Sequence, residues 1–305
     1  MTQAQFLKNL EVPSGKVDVI LDTDAYNEID DQFAIAYMLR SEDKINVKAI
    51  CAAPFFNGMS DSPADGMEKS YNEILRILEF AGHPELCKCT YRGSTGYLAD
   101  EKTAQESDAA NKIVELSKQY SPENPLYVVA IGAITNVASA LIIDPSIKEN
   151  IVIVWLGGHA TSWTNTKEFN MYQDVAAARV VFGCGAPLVQ LPCMGVVSEF
   201  RISRPELEYW LVDKNPLADY LARNTIKAAE SYAAGTPWTR VIWDVTALAW
   251  LTNDNNRFMN SSIEHAPMPE YDHRYAARSD SHFYRYVREI KRDALMHDLI
   301  KKLLK

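Results

Sequence analysis

Continuous apolar runs alternate with segments of helical periodicity along the first two-thirds of the chain. The runs occupy residues 17–21, 45–53, 126–131, 151–156 and 188–191. They are largely continuous, whereas a strand with one solvated face alternates apolar and polar residues. Continuous runs of this length are typical of strands in a parallel sheet that helices cover on both faces. The pattern therefore predicts an α/β fold with a single open, mostly parallel sheet.

Between and after these strands the periodicity predicts helices, and Gly82 is expected to end the second of them. The predicted helices occupy residues 30–40, 67–81, 109–120, 136–143, 174–182, 217–232 and 245–251. Residues 83–107 are predicted to form a loop, and the C-terminal part is predicted to be mostly helical. The chain contains no linker-like stretch and no internal repeat, so we expect one domain over residues 1–305.

Composition limits the partners that the chain is expected to have. Of the 305 residues 47% are hydrophobic, and the net charge is −9. An acidic surface disfavours nucleic acids and anionic membranes, so neither is an expected partner. No apolar run is long enough to span a bilayer, and the N-terminal residues lack a secretory apolar region. The cysteine count is odd and the spacing irregular, which predicts free thiols and a cytoplasmic location.

The stretch "VDVILDTDAYNEIDDQFAIAYML" carries five acids and no basic residue. They are Asp22, Asp24, Glu28, Asp30 and Asp31. Taken alone, Asp30 is equally well explained as a helix N-cap, and Asp31 as a first-turn acid that the helix dipole favours. That interpretation does not account for Asp22 and Asp24, which precede the helix. Crowded carboxylates raise each other's pKa unless a cation compensates, so the cluster predicts a bound divalent cation.

Polar residues also follow the other predicted strands. Asn57 follows the second strand, the segment "GAITN" follows the third, and Glu168 and Asn170 follow the fourth. In folds of this kind ligands bind outside the carboxyl ends of the strands, so these residues are expected to share one site. Carboxylate and amide oxygens suit Ca²⁺ or Mg²⁺ rather than zinc.

Four segments resemble the nucleoside hydrolases of the inosine-uridine-preferring group, and they occur in the same order. The stretch "ILDTDAYNEIDDQFAIAYML" is similar to the family's N-terminal signature, and "VVAIGAITNVASAL" is similar to its Gly-Pro-Leu-Thr-Asn segment. The stretch "WLGGHATSWTNTKEFNMYQDVAAARVV" is similar to the family's Gly-Gly…Glu-Phe-Asn segment. The stretch "WDVTALAWL" resembles its His-Asp-Pro segment. Residues 252–305 show no such similarity.

The resemblance implies a nucleoside hydrolase-like, Rossmann-related fold and a Ca²⁺-dependent hydrolase that cleaves the N-glycosidic bond of a riboside with metal-bound water. It implies that Asp24 is both general base and metal ligand, and that Asp22 supports the metal site. The other implied metal ligands are Asp31, the carbonyl of Ile131 and Asp244. The implied substrate-binding residues are Asp30, Asn57, Glu168 and Asn170. It also implies a homo-oligomer, either a dimer or a tetramer.

The chain departs from the family pattern at three positions. Five residues rather than three separate Asp24 from Asp30, and Tyr26 or Glu28 in this longer turn could reach the substrate. Ser162 stands where the family usually has an Asn. Trp243 stands where many members have a His that serves as an acid for the leaving base. A Trp wall favours a large aromatic leaving group, so we predict that purine ribosides are better substrates than uridine.

The same residues also allow other interpretations. Asn57 could cap a loop, Asn170 could satisfy a buried turn, and Asp244 could be an N-cap. Trp243 could simply pack in the core. The Asp-x-Asp after a strand also occurs in Mg²⁺-dependent phosphohydrolases of the haloacid dehalogenase type. A third possibility is a Ca²⁺-dependent sugar-binding protein that has lost catalysis.

Overall fold

The computed structural model describes residues 1–305, and its centre is an eight-stranded sheet. The strands of this sheet are β1 (Val17–Thr23), β2 (Ile45–Ala52), β3 (Thr90–Arg92), β4 (Leu126–Ala130), β5 (Ile151–Leu156), β6 (Leu188–Leu191), β9 (Met259–His265) and β12 (Phe283–Ile290). Two small ribbons complete the strands: β7 (Arg201–Ser203) with β8 (Thr239–Val241), and β10 (Met268–Pro269) with β11 (Tyr275–Ala276).

Strand order in the central sheet is β3-β2-β1-β4-β5-β6-β12-β9. All neighbours are parallel except β9, which pairs antiparallel with β12 at one edge. The predicted mostly parallel sheet is therefore confirmed. Because β1 and β4 are central neighbours, the segments that follow them begin side by side at the carboxyl edge.

Eleven α-helices connect and cover the strands. They are α1 (Gln3–Asn9), α2 (Asp30–Leu39), α3 (Pro63–Ala81), α4 (Asp108–Ser117), α5 (Thr135–Ile143), α6 (Phe169–Gln173), α7 (Val175–Gly183), α8 (Arg204–Trp210), α9 (Pro216–Ala233), α10 (Val245–Leu251) and α11 (Arg292–Leu303). None is long and apolar enough to cross a membrane. Short 3₁₀ segments occupy Pro84–Cys89, Pro145–Glu149, Val197–Glu199 and Asp254–Asn256.

Local sequence explains where the longer helices begin and end. The hydroxyl of Ser62 accepts a hydrogen bond from the Asp65 N–H at 3.1 Å, and Pro63 follows it at the first helical position. Both features favour initiation of α3 there. The same helix stops at Gly82, which adopts φ +78° as glycine does at many helix ends.

Side chains of the central strands point alternately into two hydrophobic cores, one on each face of the sheet. Val19 and Leu21 belong to the core beneath α2, α3, α9, α10 and α11, whereas Ile20 belongs to the core beneath α4, α5 and α7. Helix α2 is buried along its whole length, so its first turn is held rigidly against the sheet. This rigidity fixes the acids of that turn relative to the end of β1.

The C-terminal part is less helical than the sequence predicted. The stretch "DHRYAARSDSHFYRYVREIKRD", which lies in the part predicted to be mostly helical, instead contains β11 and β12. Strand β12 pairs with β6, and its residues 284–287 are all buried, so burial rather than helix propensity determines this segment. In α11, Asp298 accepts a hydrogen bond from the buried Tyr37 hydroxyl at 2.7 Å.

Candidate active site

A pocket opens at the carboxyl edge of the sheet, where β1, β4, β5 and β6 end. Eleven residues that line it come from the turn after β1, the start of α2, the segment after β4, the end of β5 and the segment from there to the start of α6: Asp24, Asn27, Glu28, Asp30, Asp31, Ile131, Leu156, His159, Lys167, Glu168 and Phe169. Asn170, Cys193, Met194, Trp243 and Asp244 complete the lining. Strand topology therefore brings together segments that are more than two hundred residues apart in the chain.

Asp24 is the first residue after β1, and its side chain is only 1% exposed. Its Oδ2 is buried and has no hydrogen-bond partner. Gly132 lies against the carboxylate, because a Cβ added there would come within 3.0 Å of Asp24 Oδ1. Burial, followed by the charges of Asp31 and Asp30, raises the pKa of Asp24 well above its usual value. The carboxylate is thus held in a place where it lacks a protein partner.

Asp30 and Asp31 form the first turn of α2, and Ile29 occupies the N-cap position. The interpretation of Asp30 as an N-cap is therefore wrong. The Thr23 hydroxyl donates a hydrogen bond to Asp31 Oδ1, which orients this carboxylate across the end of β1. Burial raises the pKa of Asp31 to about 7 even though this hydrogen bond opposes the shift.

Asp244 reaches the same place from the far end of the chain. It occupies the N-cap position of α10, but its side chain makes no capping hydrogen bond. One carboxylate oxygen from each of Asp30, Asp31 and Asp244 lies within 4.8 Å of the others. Burial and the neighbouring Asp30 charge raise the pKa of Asp244 well above its usual value. Capping therefore does not explain the position of the Asp244 side chain.

Basic residues do not neutralise this acidic cluster. Arg240 lies nearby, but its guanidinium pairs with Glu28 at 2.6 Å and also donates to the Tyr232 hydroxyl. The donors that converge on the pocket are carboxylate and carbonyl oxygens, which hard divalent cations such as Ca²⁺ prefer. The unpartnered Asp24 oxygen and the close Asp30–Asp31–Asp244 group therefore fit a divalent cation.

Asp22 lies in β1, two residues before Asp24, and does not line the pocket. Its Oδ1 accepts a hydrogen bond from Asn136 Nδ2 at 2.7 Å, while its buried Oδ2 has no partner. Burial raises its pKa to about 7. Asn136 belongs to the "GAITN" segment and also receives hydrogen bonds from Ser94, so it links β1 to the 93–107 loop.

Glu168 on the opposite wall is fully engaged by the backbone. It is the N-cap of α6: Oε1 accepts from Asn170 N–H at 2.9 Å and Oε2 from Met171 N–H at 3.0 Å. Oε2 also accepts from the N–H of Gly158 at 2.8 Å. The side chain therefore joins the turn after β5 to the start of α6, and it still forms part of the pocket surface.

Asn170 and Asn57 both serve the backbone, as their alternative interpretations predicted. Asn170 Nδ2 donates to the carbonyls of Ile131 and Leu156 at 3.1 and 3.0 Å. A carbonyl oxygen has two lone pairs, so Ile131 keeps one for another partner. Asn57 accepts from the Met59 N–H at 2.8 Å and donates to Asn27 Oδ1 at 2.6 Å. Asn170 and Asn27 line the pocket, whereas Asn57 does not.

Trp243 lines the pocket beside Asp244 and also packs against the larger core. The side chain is half-buried, so part of the ring contacts the core and part faces the pocket. Of the two residues proposed from the longer turn, Glu28 lines the pocket and Tyr26 does not.

Comparison with known proteins identifies the family. Residues 19–277 match the model of the inosine-uridine preferring nucleoside hydrolases, which covers more than half of the chain. The chain belongs to this family. The family reaction follows: the protein is an N-ribosyl hydrolase that converts a ribonucleoside to ribose and free base.

Relatives within the nucleoside hydrolase family differ in the substrates that their names indicate. The pyrimidine-specific ribonucleoside hydrolase RihA of Salmonella enteritidis PT4 is 26% identical over 258 residues, which are 76% of this chain and 78% of that protein. The solved purine-preferring ribonucleoside hydrolase from Gardnerella vaginalis aligns with a TM-score of 0.74 at 20% identity, covering 94% of this chain and 98% of that one. The plant nucleoside hydrolase PpNRh1 gives 0.74 at 19% identity, covering 94% and 99%.

Sequence reasoning missed several pocket residues of this nucleoside hydrolase. Cys193 and Met194 follow β6, so the rule that placed the other residues at strand ends would have found them. Burial raises the pKa of the Cys193 thiol well above its usual value, which keeps it uncharged. His159 follows the Gly-Gly turn after β5, and Lys167 directly precedes Glu168. No charge or spacing pattern in the sequence singled these two out.

Proposed function

We propose that this nucleoside hydrolase is Ca²⁺-dependent, with Asp24, Asp31, Asp244 and the carbonyl of Ile131 as the metal ligands. The observation that supports this proposal most strongly is the convergence of buried carboxylates without a neutralising cation. Asp24, Asp30, Asp31 and Asp244 are each at most 3% exposed. Several ionised carboxylates this close are unfavourable in a buried site unless a cation compensates their charge.

Asp24 is the proposed general base. Its unpartnered Oδ2 can accept a proton from the attacking water, and packing against Gly132 restricts where the carboxylate can move. A bound Ca²⁺ would polarise the water and help to position the ribose. The water adds to the anomeric carbon as the bond to the base breaks, and the sugar passes through an oxocarbenium-like state. The ring of carboxylates stabilises the positive charge that develops there.

The remaining polar residues are proposed to hold the sugar. Asp30 is proposed to accept a ribose hydroxyl, and Glu168 and Asn170 are proposed to contact the sugar from the opposite wall. Asn57 is proposed to act through Asn27, to which it is hydrogen bonded. Asp22 is proposed to support the metal site from behind, because its strand leads directly to Asp24.

A purine is the proposed leaving group, because the half-buried Trp243 offers a flat apolar surface beside Asp244. A purine covers more of that surface than a pyrimidine and can accept a proton at N7 without a histidine acid. We predict that kcat/KM for inosine exceeds that for uridine. Trp243→Ala should lower kcat/KM for inosine, and the loss should correspond to roughly 1–3 kcal/mol of transition-state stabilisation. Equal or greater activity on uridine in the unmodified enzyme would refute the preference, and the pyrimidine-specific relatives make this a direct test.

The decisive experiment measures release of free ribose from purine, pyrimidine and nicotinamide ribosides with Ca²⁺ or with a chelator. We expect turnover that chelation abolishes and Ca²⁺ restores. Riboside binding without any turnover would favour a sugar-binding protein. Phosphatase activity that requires Mg²⁺ would favour the haloacid dehalogenase type.

Assembly and location form a separate part of the proposal. We propose a homo-oligomer, either a dimer or a tetramer, that works in the cytoplasm, where the five free thiols would stay reduced. Exposed aromatic residues such as Tyr209, which is 70% exposed, offer surface for such contacts. Light scattering during size-exclusion chromatography tests the oligomer, and a monomer at micromolar concentration would contradict it.

A further inference from the structure

The Gly-Gly turn after β5, formed by Gly157 and Gly158, is bonded to the wall around Glu168. The N–H of Gly158 donates to Glu168 Oε2 at 2.8 Å, and the Gly158 carbonyl accepts from the Cys193 N–H at 2.8 Å. Gly158 adopts φ +73°, a left-handed conformation that glycine reaches without steric cost. A displacement of this turn would therefore displace the Glu168 carboxylate as well.

The hydroxyl of Tyr275, in β11, lies against the Gly-Gly turn. A Cβ added to Gly158 would lie 2.2 Å from Tyr275 Oη, so the hydroxyl is in close contact with the turn. Tyr275 Oη donates to the His159 carbonyl at 3.3 Å and accepts from Gln190 Nε2 at 2.8 Å. Gln190 Nε2 also donates to the Gly157 carbonyl at 2.9 Å. Two side chains thus bind the carbonyls on either side of Gly158.

The groups that take part determine the direction of these hydrogen bonds. A carbonyl oxygen can only accept, so Gln190 must present Nε2 rather than Oε1 to Gly157, and Tyr275 must give its single proton to His159. Gln190 is fully buried, and its Oε1 has no partner. Loss of the Tyr275 hydroxyl would leave one N–H of this buried amide without a partner too, so the turn would be held less firmly.

The C-terminal part also contacts the rest of the loop between β5 and α6. The N–H of Thr161 donates to the Tyr286 hydroxyl of β12 at 3.1 Å. The N–H of Thr166 donates to the His273 carbonyl at 2.8 Å, between β10 and β11. The loop is therefore held at three places by residues that lie far from it in the sequence. Of these contacts, the one at the Gly-Gly turn is bonded directly to Glu168.

We propose that Tyr275 is a positioning residue: through the Gly-Gly turn, its hydroxyl holds Glu168 and Asn170 where they bind the sugar. This inference rests on the proposed function, in which both residues contact the sugar. Glu168 Oε1 accepts from the Asn170 N–H at 2.9 Å, so displacing Glu168 also displaces the start of α6. Tyr275 does not line the pocket, so its effect on the substrate must pass through these residues.

The test removes the Tyr275 hydroxyl and keeps the ring. In Tyr275→Phe, KM for inosine at saturating Ca²⁺ should rise by about three- to tenfold, the range expected for one lost hydrogen bond. The value of kcat should change little, because a sugar contact made equally in the substrate complex and the transition state affects KM alone. The Ca²⁺ shift in Tm should also be unchanged, because the hydroxyl is not bonded to the acidic cluster.

Two tyrosines provide matched controls. Tyr284→Phe removes a buried hydroxyl that has no partner, from a ring in the same core as Tyr275. Tyr120→Phe removes a hydroxyl that donates to Asp18 at 2.8 Å, near the start of β1 and away from the pocket. Neither variant should change KM for inosine, although Tyr120→Phe should lower the free energy of unfolding. A KM in Tyr275→Phe that matches these controls would overturn the inference, even if the variant is less stable.

A double-variant cycle tests whether the hydroxyl acts through Glu168. Tyr275→Phe should raise KM less in a Glu168→Gln background than in the wild type, because the bond to Gly158 is already weakened there. Equal increases in both backgrounds would contradict the proposed route. Calorimetry with inosine separates this inference from the proposed catalysis. If the wild type turns over no riboside, weaker inosine binding by Tyr275→Phe would still support the positioning role, and equal binding would overturn it.

Discussion

The two ends of the pocket are built in opposite ways. At the acidic end, Asp24, Asp30, Asp31 and Asp244 are buried together, and Asp24 keeps an unpartnered oxygen. At the opposite wall, Glu168 is also buried, yet three backbone N–H groups satisfy its carboxylate. Both ends place carboxylates away from water, but only the second compensates them within the protein.

This difference separates residues whose charge a bound ligand must compensate from residues whose hydrogen bonds the protein itself provides. A buried charge without partners is destabilising, so the acidic end is completed only when a cation arrives. The wall around Glu168 is complete in the protein alone and can keep its shape before substrate binds. Substitutions at the acidic end should therefore affect chemistry, and those at the wall should affect stability.

The largest effect is expected from Asp24→Asn. The amide keeps an oxygen for the metal but cannot accept a proton from water, so turnover should fall by about 10²–10⁴-fold. The measurement is kcat on inosine with saturating Ca²⁺, and Asp61→Asn, an exposed acid outside the pocket, is the control. Near wild-type turnover would show that Asp24 is not the base.

Calcium removal should destabilise the protein in a way that depends on pH. Burial raises the folded-state pKa of Asp22 and Asp31 from 3.8 to about 7, so the folded protein binds more protons than the unfolded chain. Without a cation this contribution to stability is present below about pH 4 and is lost as pH rises through about 7. Ca²⁺ binds the ionised carboxylates, so the free energy by which it stabilises the folded protein increases over the same pH range. At a hundred times its Kd it should contribute about 2.7 kcal/mol.

The test measures Tm with Ca²⁺ and with a chelator at about pH 5 and about pH 8. We expect a larger Ca²⁺ shift at the higher pH, and Asp244→Asn should reduce it. An equal shift at both values would show that the buried carboxylates are not where the cation binds.

The sequence was sufficient to predict five of the eight strands of the central sheet, and its acidic end, for a physical reason. Strands β1, β4 and β5 are buried on both faces, so their apolar runs leave little ambiguity. The carboxyl ends of such strands meet at one edge, and this brings Asp24 and the segment after β4 together without knowledge of the loops. Asp244 was reached only through the resemblance to a family, because nothing local in the sequence relates it to β1.

The sequence did not predict β9 and β12, or the state of the opposite wall. These two strands pair with each other and with β6 over long separations, and their mixed polar sequence resembles an amphipathic helix as much as a strand. Glu168 and Asn170 were predicted at the site, but their hydrogen bonds to backbone groups depend on loop geometry. Lys167 could not be recognised, because a single lysine in a polar loop is usually a solvated residue.

A smaller effect is expected from Glu168→Gln, which tests whether hydrogen bonds within the protein stabilise the wall around Glu168. Glutamine offers one acceptor oxygen, so at least one of the N–H groups of Gly158, Asn170 and Met171 loses its partner. The expected loss is about 1–3 kcal/mol of unfolding free energy, with the Ca²⁺ shift in Tm unchanged. Urea unfolding with and without Ca²⁺ measures both quantities. Unchanged stability with a large loss of kcat would mean that Glu168 contacts the sugar as its main role.

The smallest effect is expected at Asn57 and Asn27. Asn27 lines the pocket and its main-chain N–H donates to the Asp24 carbonyl at 2.7 Å, while Asn57 is hydrogen bonded to its side chain. If Asn57 only positions Asn27, then Asn57→Ala, Asn27→Ala and the double variant should each raise KM for inosine by a similar amount. One lost hydrogen bond is worth about 0.5–1.5 kcal/mol. The double-variant cycle should thus show a coupling of about that size, with kcat little changed. Additive losses would instead mean that Asn57 contacts the substrate independently, and the acidic end would then extend into the loop after β2.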